Sequence, residues 1–320
     1  MAKKILITGV SGFVGGWLAQ YFLQKGDAKI FGTYLSDTSL TTIQTIKEKI
    51  DLIKLDLLDE EKVLNFITKT KPDLIFNLAA LTSPAESFKN PSKIVTNNII
   101  MQLNLLEALR KEELLNTRIL IVSSANIYGQ VGKDDLPIDE ETPLKPTNPY
   151  AVSKIAQDFL GLQYFLSYNL KIVRVRPFNH IGPKQAPDFV ISTFAKKIAE
   201  IEKEKENRVL MVGDLKPRRD FTDVRDMICA YDLILEKGIA GEVYNIGSGV
   251  SFSILEILDK LLSFSKVKIE VRQDPSLLRP SDSPELLCDN EKITKLTGWK
   301  PKIPIEQTLK ETLDYWRGIV

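Results

Sequence analysis

The feature that most constrains the fold is a glycine-rich loop between the first apolar run and the first amphipathic helix. The apolar run at residues 5–7 is typical of a strand buried on both faces. Gly9, Gly12 and Gly15 follow it, and a helix is predicted from there to about residue 24. Glycines at this spacing let the backbone turn tightly and approach a pyrophosphate at the helix N-terminus. The spacing is GxxGxxG rather than GxGxxG, but its place between strand and helix indicates a nucleotide-binding loop.

Short apolar runs and helical patterns then alternate along the chain. Strands are predicted at 29–33, 52–57, 73–80, 119–122 and 170–176, and helices at 60–69, 91–111 and 150–168. This alternation is typical of an α/β fold with a doubly wound parallel (Rossmann) sheet. Ligands bind such sheets at the carboxyl ends of the strands, where the glycine loop, Ala79, Ala80 and Ser124 fall.

The composition changes in the last third of the chain, which predicts a smaller α/β lobe. Strands are expected there at 209–212 and 268–271, and helices at 224–236, at 253–262 and at the end. We therefore expect a dinucleotide-binding domain formed by residues 1–177 with about 221–247. Residues 178–220 with about 248–320 would form the substrate-binding lobe.

The composition excludes several classes of function. The 320 residues include 43 basic and 42 acidic side chains, so strong attraction to nucleic acid or an anionic membrane is not expected. The two cysteines have neither metal-site nor disulfide spacing. No apolar run approaches the length of a signal-peptide core or a membrane span. These features predict a soluble, cytoplasmic protein that uses no metal.

Tyr150 and Lys154 form the most reactive pair that the sequence offers. Four residues apart on a helix, they point the same way, and Pro149 suits the first turn. A nearby ammonium favours phenolate, so the pair predicts a tyrosine pKa lowered from about 10 toward working pH. Such a tyrosine can exchange a proton with a carbonyl or alcohol oxygen. The pair alone is common on helix surfaces and gains meaning from the motifs around it.

Three motifs in order carry a family resemblance. They are Gly9-x-x-Gly12-x-x-Gly15, Ser124 four residues before Tyr128-Gly129, and Tyr150-x-x-x-Lys154. Together they resemble the extended short-chain dehydrogenase/reductases that act on nucleotide sugars, the NAD-dependent epimerase/dehydratase family. The resemblance covers the whole chain. Within this family, the stretches at 176–183, 189–190 and 278–281 look most like GDP-6-deoxy-4-keto-D-mannose reductases, which make GDP-D-rhamnose.

The resemblance implies a role for each matching residue. Tyr150 would give a proton to the C4 ketone oxygen of a GDP-4-keto-6-deoxy-hexose, aided by Ser124 and Lys154, with NADP or NAD as cofactor. The implied cofactor-binding residues are Gly9, Gly12, Phe13, Val14, Gly15, Asp56, Leu57, Leu78, Ala79, Ala80, Tyr150, Lys154 and Pro177. The implied substrate-binding residues are Ser124, Asn126, Asn179, Val190, Arg219 and Arg279. A homodimer formed through the helices at 91–111 and 150–168 is also implied.

Several alternatives remain open from the sequence. The related dehydratases carry a glutamate base where this chain has Asn126, which argues against dehydration, although some reductases keep an acid there. A 4-epimerase, a 4,6-dehydratase and a non-enzymatic dinucleotide binder are the alternatives. Asp56 suits the adenine edge and a simple turn equally. The second strand ends without an acid or an arginine at its tip, so NADP and NAD are both allowed. Asn97 is expected to support the surroundings of Lys154, and His180 to support a loop or lie near the cofactor.

Overall fold

The computed structural model describes residues 2–203, 208–277 and 283–320. The strands in this part of the chain are β1 (Lys3–Thr8), β2 (Ala28–Tyr34), β3 (Asp51–Lys54), β4 (Leu74–Asn77), β5 (Arg118–Val122), β6 (Lys171–Pro177), β7 (Asn179–Ile181), β8 (Val209–Val212), β9 (Arg218–Asp223), β10 (Val243–Ile246), β11 (Ser251–Ser253), β12 (Glu270–Gln273) and β13 (Glu285–Leu286). The helices are α1 (Phe13–Lys25), α2 (Glu60–Thr70), α3 (Pro84–Lys89), α4 (Pro91–Lys111), α5 (Pro149–Tyr168), α6 (Val190–Lys203), α7 (Val224–Lys237), α8 (Ile254–Ser263), α9 (Glu291–Thr297) and α10 (Ile305–Arg317).

Seven parallel strands form the central sheet, in the order β10-β6-β5-β4-β1-β2-β3. The order reverses between β1 and β4, and the glycine loop follows β1 at this switch point. Helices α1 and α7 pack on one face, around Leu18, Phe22 and Tyr231. Helices α2, α4 and α5 pack on the other, around Ile67 and Leu105. The predicted α/β doubly wound sheet is confirmed.

The differences from the predicted strands have identifiable causes in the structure. Strand β4 ends at Asn77, three residues earlier than predicted, because the Thr8 hydroxyl accepts hydrogen bonds from the backbone N–H groups of Leu78 and Ala79. Strand β3 ends at Lys54, and the chain then turns through Asp56, whose carboxylate accepts from the Leu58 N–H. Strands β7, β9, β10, β11 and β13 were not predicted. Each is short and forms only by pairing with segments distant in sequence.

A second hydrophobic core lies under the smaller sheets. Helices α6, α8 and α10 bury residues such as Phe194, Leu258 and Leu313 against one another. Beside them, β9 pairs with β7, β11 and β13, and β8 pairs with β12. Among the described residues, no helix is long and apolar enough to cross a membrane.

Candidate active site

The glycine loop shapes the surface at the start of α1. Gly9 has φ of +67°, and a Cβ there would lie 3.1 Å from the Cα of Ala79. A Cβ on Gly15 would lie 2.4 Å from the Gly9 carbonyl oxygen, so this glycine lets α1 pack directly on the turn. Gly12 occupies the position before α1 and brings no side-chain cap to the N–H groups of the first turn. Uncapped N–H groups behind a small-residue surface fit the pyrophosphate of a dinucleotide.

The other predicted cofactor residues surround this loop at the carboxyl edge of the sheet. Leu78, Ala79 and Ala80 follow β4 and are partly exposed. Phe13 and Val14 open α1, and Pro177 ends β6. Beyond β3, Leu57 is buried, whereas Asp56 is exposed and hydrogen-bonded within its own turn. The fold therefore brings the predicted set to one edge, and each residue's contact with the cofactor stays a prediction.

The tip of β2 carries hydroxyl groups and one ion pair. Asp37, three residues beyond the strand, pairs with Lys54 at the end of β3, and this lysine lowers the carboxyl pKa. The Ser39 hydroxyl donates to the Ser11 hydroxyl at 2.7 Å, which ties this tip to the glycine loop. The end of β2 itself carries no acid, as expected, but Asp37 follows three residues later and is already neutralised by Lys54.

Helix α5 delivers the Tyr150–Lys154 pair to the same edge. The Asn148 side chain caps the helix by accepting from the Ala151 N–H at 2.8 Å, and Pro149 fills the first position. Tyr150 is 7% exposed and Lys154 is 4% exposed, with the ammonium 5.9 Å from the phenol ring centroid. The buried Ser124 hydroxyl, just beyond β5, lies near enough to the Tyr150 phenol to lower its pKa. The structure thus brings Ser124, Tyr150 and Lys154 together.

The pKa of Tyr150 differs from the sequence prediction. Burial raises it to about 12, and the neighbouring Ser124 hydroxyl, which lowers the pKa, only partly opposes this rise. Burial also lowers the pKa of Lys154 to about 7. The expected lowering by Lys154 is absent because the ammonium donates to the Val122 carbonyl at 2.9 Å and is itself costly to charge. Tyr150 is consequently a protonated phenol at neutral pH, the form that gives a proton away.

The predicted substrate residues occupy different environments. Asn126 is half-buried two residues after Ser124, and its N–H donates to the Ser124 hydroxyl at 3.2 Å. Asn179 and Val190 are exposed, at the starts of β7 and α6. Arg219 is partly buried and donates to the carbonyl oxygens of Arg218 and Ser283. Arg279 and the stretch at 278–281 lie outside the described residues.

Two supporting residues require the tertiary structure to be recognised. The amide that supports α5 is that of Asn98, not Asn97: it donates to the Ser153 hydroxyl at 2.9 Å and bonds both backbone groups of Leu81. The helical pattern of α4 would have shown that position 98 faces inward with Ile94. The His180 ring stacks on Phe13 at 6.1 Å between centroids, and burial lowers its pKa to about 4. His180 therefore supports the glycine loop as a neutral ring.

Comparison with known proteins identifies the family. The profile described as GDP-mannose 4,6 dehydratase matches residues 6–312 of the chain. The chain belongs to this family. This membership confirms two predictions. The chain is an extended short-chain dehydrogenase/reductase, and it belongs to the NAD(P)-dependent enzymes that act on nucleotide sugars.

Individual members of the GDP-mannose 4,6-dehydratase family and its structural relatives give finer comparisons. GDP-6-deoxy-D-mannose reductase from Pseudomonas aeruginosa is 35% identical over 320 residues, which are 100% of this chain and 99% of the relative. GDP-mannose 4,6 dehydratase 1 from Arabidopsis thaliana is 28% identical over 98% of this chain and 89% of its own length. The structure of RMD from Pseudomonas aeruginosa complexed with NADPH matches with a TM-score of 0.87, 34% identity and full coverage of both chains. A UDP-glucose 4-epimerase complex with NAD from Thermus thermophilus matches with a TM-score of 0.86 and 27% identity, over 99% of this chain and 100% of that one. Both cofactors of the predicted class therefore occur among its relatives.

Proposed function

We propose that this protein reduces the C4 ketone of GDP-4-keto-6-deoxy-D-mannose to give GDP-D-rhamnose. The observation that carries the proposal is the set of groups around Ser124: a protonated Tyr150 beside it, and the amide of Asn126 two residues after it. Ketone reduction needs a proton donor, which Tyr150 provides. It does not need a carboxylate base, and position 126 has none. The full-length similarity to a GDP-6-deoxy-D-mannose reductase supports the same substrate.

The residues of this chain have distinct tasks in the proposed reaction. A bound NADPH or NADH would supply the hydride for C4 of the sugar. Tyr150 gives its phenolic proton to the ketone oxygen, so that the carbonyl becomes an alcohol. The Ser124 hydroxyl hydrogen-bonds the same oxygen as negative charge develops there. Lys154, in its charged form, favours the phenolate that Tyr150 becomes after it has given up its proton.

The nucleotide diphosphate is proposed to bind the smaller lobe, formed by residues 178–220 with about 248–320. Arg219 and Arg279 would hold phosphate oxygens, since guanidinium groups form paired hydrogen bonds with them. Asn179 and Val190 would line the sugar side, because both are exposed: Asn179 begins β7 just beyond the end of β6, and Val190 begins α6. The dinucleotide would bind the domain formed by residues 1–177 with about 221–247.

A paired assay tests the proposed function. One reaction contains GDP-4-keto-6-deoxymannose with NADPH or NADH, and loss of the reduced cofactor's absorbance is followed. The other contains GDP-mannose without added reductant and is analysed for a keto-sugar. We expect cofactor consumption in the first only, and Tyr150→Phe should lower kcat by at least about 10²–10⁴-fold.

The main alternative is a GDP-mannose 4,6-dehydratase, since the family profile carries that name. A keto-sugar formed in the second reaction would establish it and refute the argument from Asn126. If neither cofactor consumption nor a keto-sugar is detected, the GDP-sugar assignment is wrong, and 4-epimerisation of UDP- and dTDP-sugars is the next activity to assay.

We also propose that the protein is a cytoplasmic homodimer joined through α4 and α5. Val152, Phe159 and Leu166 recur every seven residues on α5, and each is exposed. Leu166, in the last turn of α5, is 71% exposed, so the three side chains leave an apolar stripe open on the helix. Pairing this stripe with a second copy would cover it. Sedimentation velocity at micromolar concentration should give the dimer mass, and a monomer mass would exclude the pairing.

A further inference from the structure

A buried charge network begins on α5, the helix that carries Tyr150 and Lys154 and is called the catalytic helix below. Asp158 lies one turn beyond Lys154 and two turns beyond Tyr150, on the same side of α5. Its carboxylate is fully buried and accepts from the guanidinium groups of Arg174 and Arg176 on β6. The Arg176 Nε to Asp158 Oδ2 distance is 2.8 Å. The catalytic helix is thus joined to β6 by a shared ion pair that water does not reach.

The network continues from Arg176 to Tyr128. The Arg176 Nη1 donates to the Tyr128 hydroxyl at 3.0 Å and to the Glu140 carbonyl at 2.9 Å. The Tyr128 hydroxyl in turn donates to the Asn245 Oδ1 on β10 at 2.7 Å. Tyr128 is 0% exposed, and burial raises the pKa of its hydroxyl, which keeps it a donor. The tyrosine is therefore held from two sides by hydrogen bonds.

Tyr128 is also the last residue of the short helix that Ser124 begins. This 3₁₀ turn covers Ala125–Tyr128, and the Ser124 hydroxyl caps it by accepting from the Asn126 N–H. Tyr128 and Ser124 are thus the two ends of one short turn, which couples the position of the Ser124 hydroxyl to that of Tyr128. The network and the turn together connect Ser124 and Tyr150 through the protein interior.

We propose that Tyr128 is a positioning residue, whose hydroxyl, bonded to Arg176, sets the distance between the Ser124 and Tyr150 hydroxyls. The inference rests on the proposed function for its effect on catalysis, and on the described contacts for its effect on structure. Removing Asp158 or Arg176 would leave a buried charge without a partner and endanger folding. Tyr128→Phe removes only the hydroxyl and keeps the ring, so it is the variant of choice.

A double-mutant cycle tests the role in turnover. We expect Tyr128→Phe to lower kcat by about 10–100-fold, the size of effect that misplaced reacting groups produce, with KM and the Kd of NADPH changed less than about twofold. Ser124→Ala should lower kcat by about 10²–10³-fold. In the Ser124→Ala background, Tyr128→Phe should have no further effect, because it acts through the missing hydroxyl. An effect that persists in full there would overturn the proposal.

Tyr164→Phe is the matched control. Tyr164 is a buried tyrosine on the same helix, and its hydroxyl donates to Glu107 away from the Ser124 turn. It should leave kcat unchanged even if it lowers Tm as much as Tyr128→Phe does. If Tyr128→Phe and Tyr164→Phe lose kcat equally, Tyr128 only stabilises the fold and the proposal is wrong.

A measurement without substrate separates this inference from the proposed function. In cofactor-free protein carrying tyrosine labelled with ¹³C at Cζ, the resonance of Tyr150, assigned by its absence in Tyr150→Phe, reports the phenol's hydrogen bonding. Tyr128→Phe should move it in the same direction as Ser124→Ala does, and Tyr164→Phe should leave it in place. An unmoved Tyr150 resonance in Tyr128→Phe would overturn the inference whatever reaction the enzyme catalyses.

Discussion

Lys154 is buried at the site at a cost to stability, so its removal is expected to stabilise the cofactor-free protein. Burial lowers its pKa from the ordinary 10.5 to about 7. At about 1.4 kcal/mol per pKa unit, this difference corresponds to at most roughly 5 kcal/mol. Lys154→Met keeps most of the volume and removes the charge. It also removes the hydrogen bond to the Val122 carbonyl, a pH-independent loss of about 1 kcal/mol.

The difference in stability between wild type and Lys154→Met should depend on pH, and this dependence is what the experiment tests. Below pH 7 the folded and unfolded chains both hold the proton, so wild type carries the whole penalty. Between pH 7 and 10.5 the unfolded chain keeps the proton and the folded chain releases it, so wild-type stability rises with pH. From pH 7 to pH 9 wild type should therefore gain up to about 2–3 kcal/mol relative to Lys154→Met. For 320 residues this is about 3–4 °C in Tm.

Thermal unfolding of both proteins without cofactor, at pH 7 and pH 9, measures this gain. Lys197→Met, at an exposed position on α6, is the control and should show no such pH-dependent difference from wild type. A difference in Tm between wild type and Lys154→Met that stays constant from pH 7 to 9 would refute the reasoning. Lys154→Met should also lose reductase activity, since the charge that is costly in the empty site is the one that catalysis uses.

Further predictions concern the glycine loop, the helix face and Asn126. Gly15→Ala should abolish NADPH binding, measured by cofactor fluorescence, because its Cβ would lie 2.4 Å from the Gly9 carbonyl oxygen. Gly26→Ala, at the far end of α1 with no atom within 4 Å, should cost about 1 kcal/mol of stability from its φ of +71° and leave binding unchanged. If the Gly15→Ala and Gly26→Ala variants bind NADPH equally well, the glycine loop is not the cofactor site. Leu166→Glu should convert the proposed dimer to a monomer in sedimentation velocity, whereas Lys197→Met should not. Asn126→Glu should lower reductase kcat without creating a keto-sugar from GDP-mannose, because a base alone does not complete a dehydratase; product analysis showing efficient dehydration would contradict this.

The sequence alone determined the fold class and the three catalytic positions of the proposed mechanism. The glycine triplet, the alternating apolar strands and the Tyr150–Lys154 spacing are local patterns, readable because strand burial, helix periodicity and glycine turns each depend on neighbouring residues. The three motifs together also led to the correct family, and within it to the class of reductase that is 35% identical over the full length.

The tertiary structure decided what depends on contacts between distant segments. Strands β9 and β10 exist only through pairing with remote partners, and the inward position of Asn98 is expressed in its bonds to Leu81 and Ser153. The pKa of Tyr150 moved opposite to the prediction because burial, which no spacing reveals, outweighs the charge of a lysine that is itself buried. The network from Asp158 through Arg176 and Tyr128 to Asn245 likewise joins α5, β6, the 3₁₀ turn and β10. Local patterns select the residues of this site, and the packing of the whole chain sets their protonation and their distances.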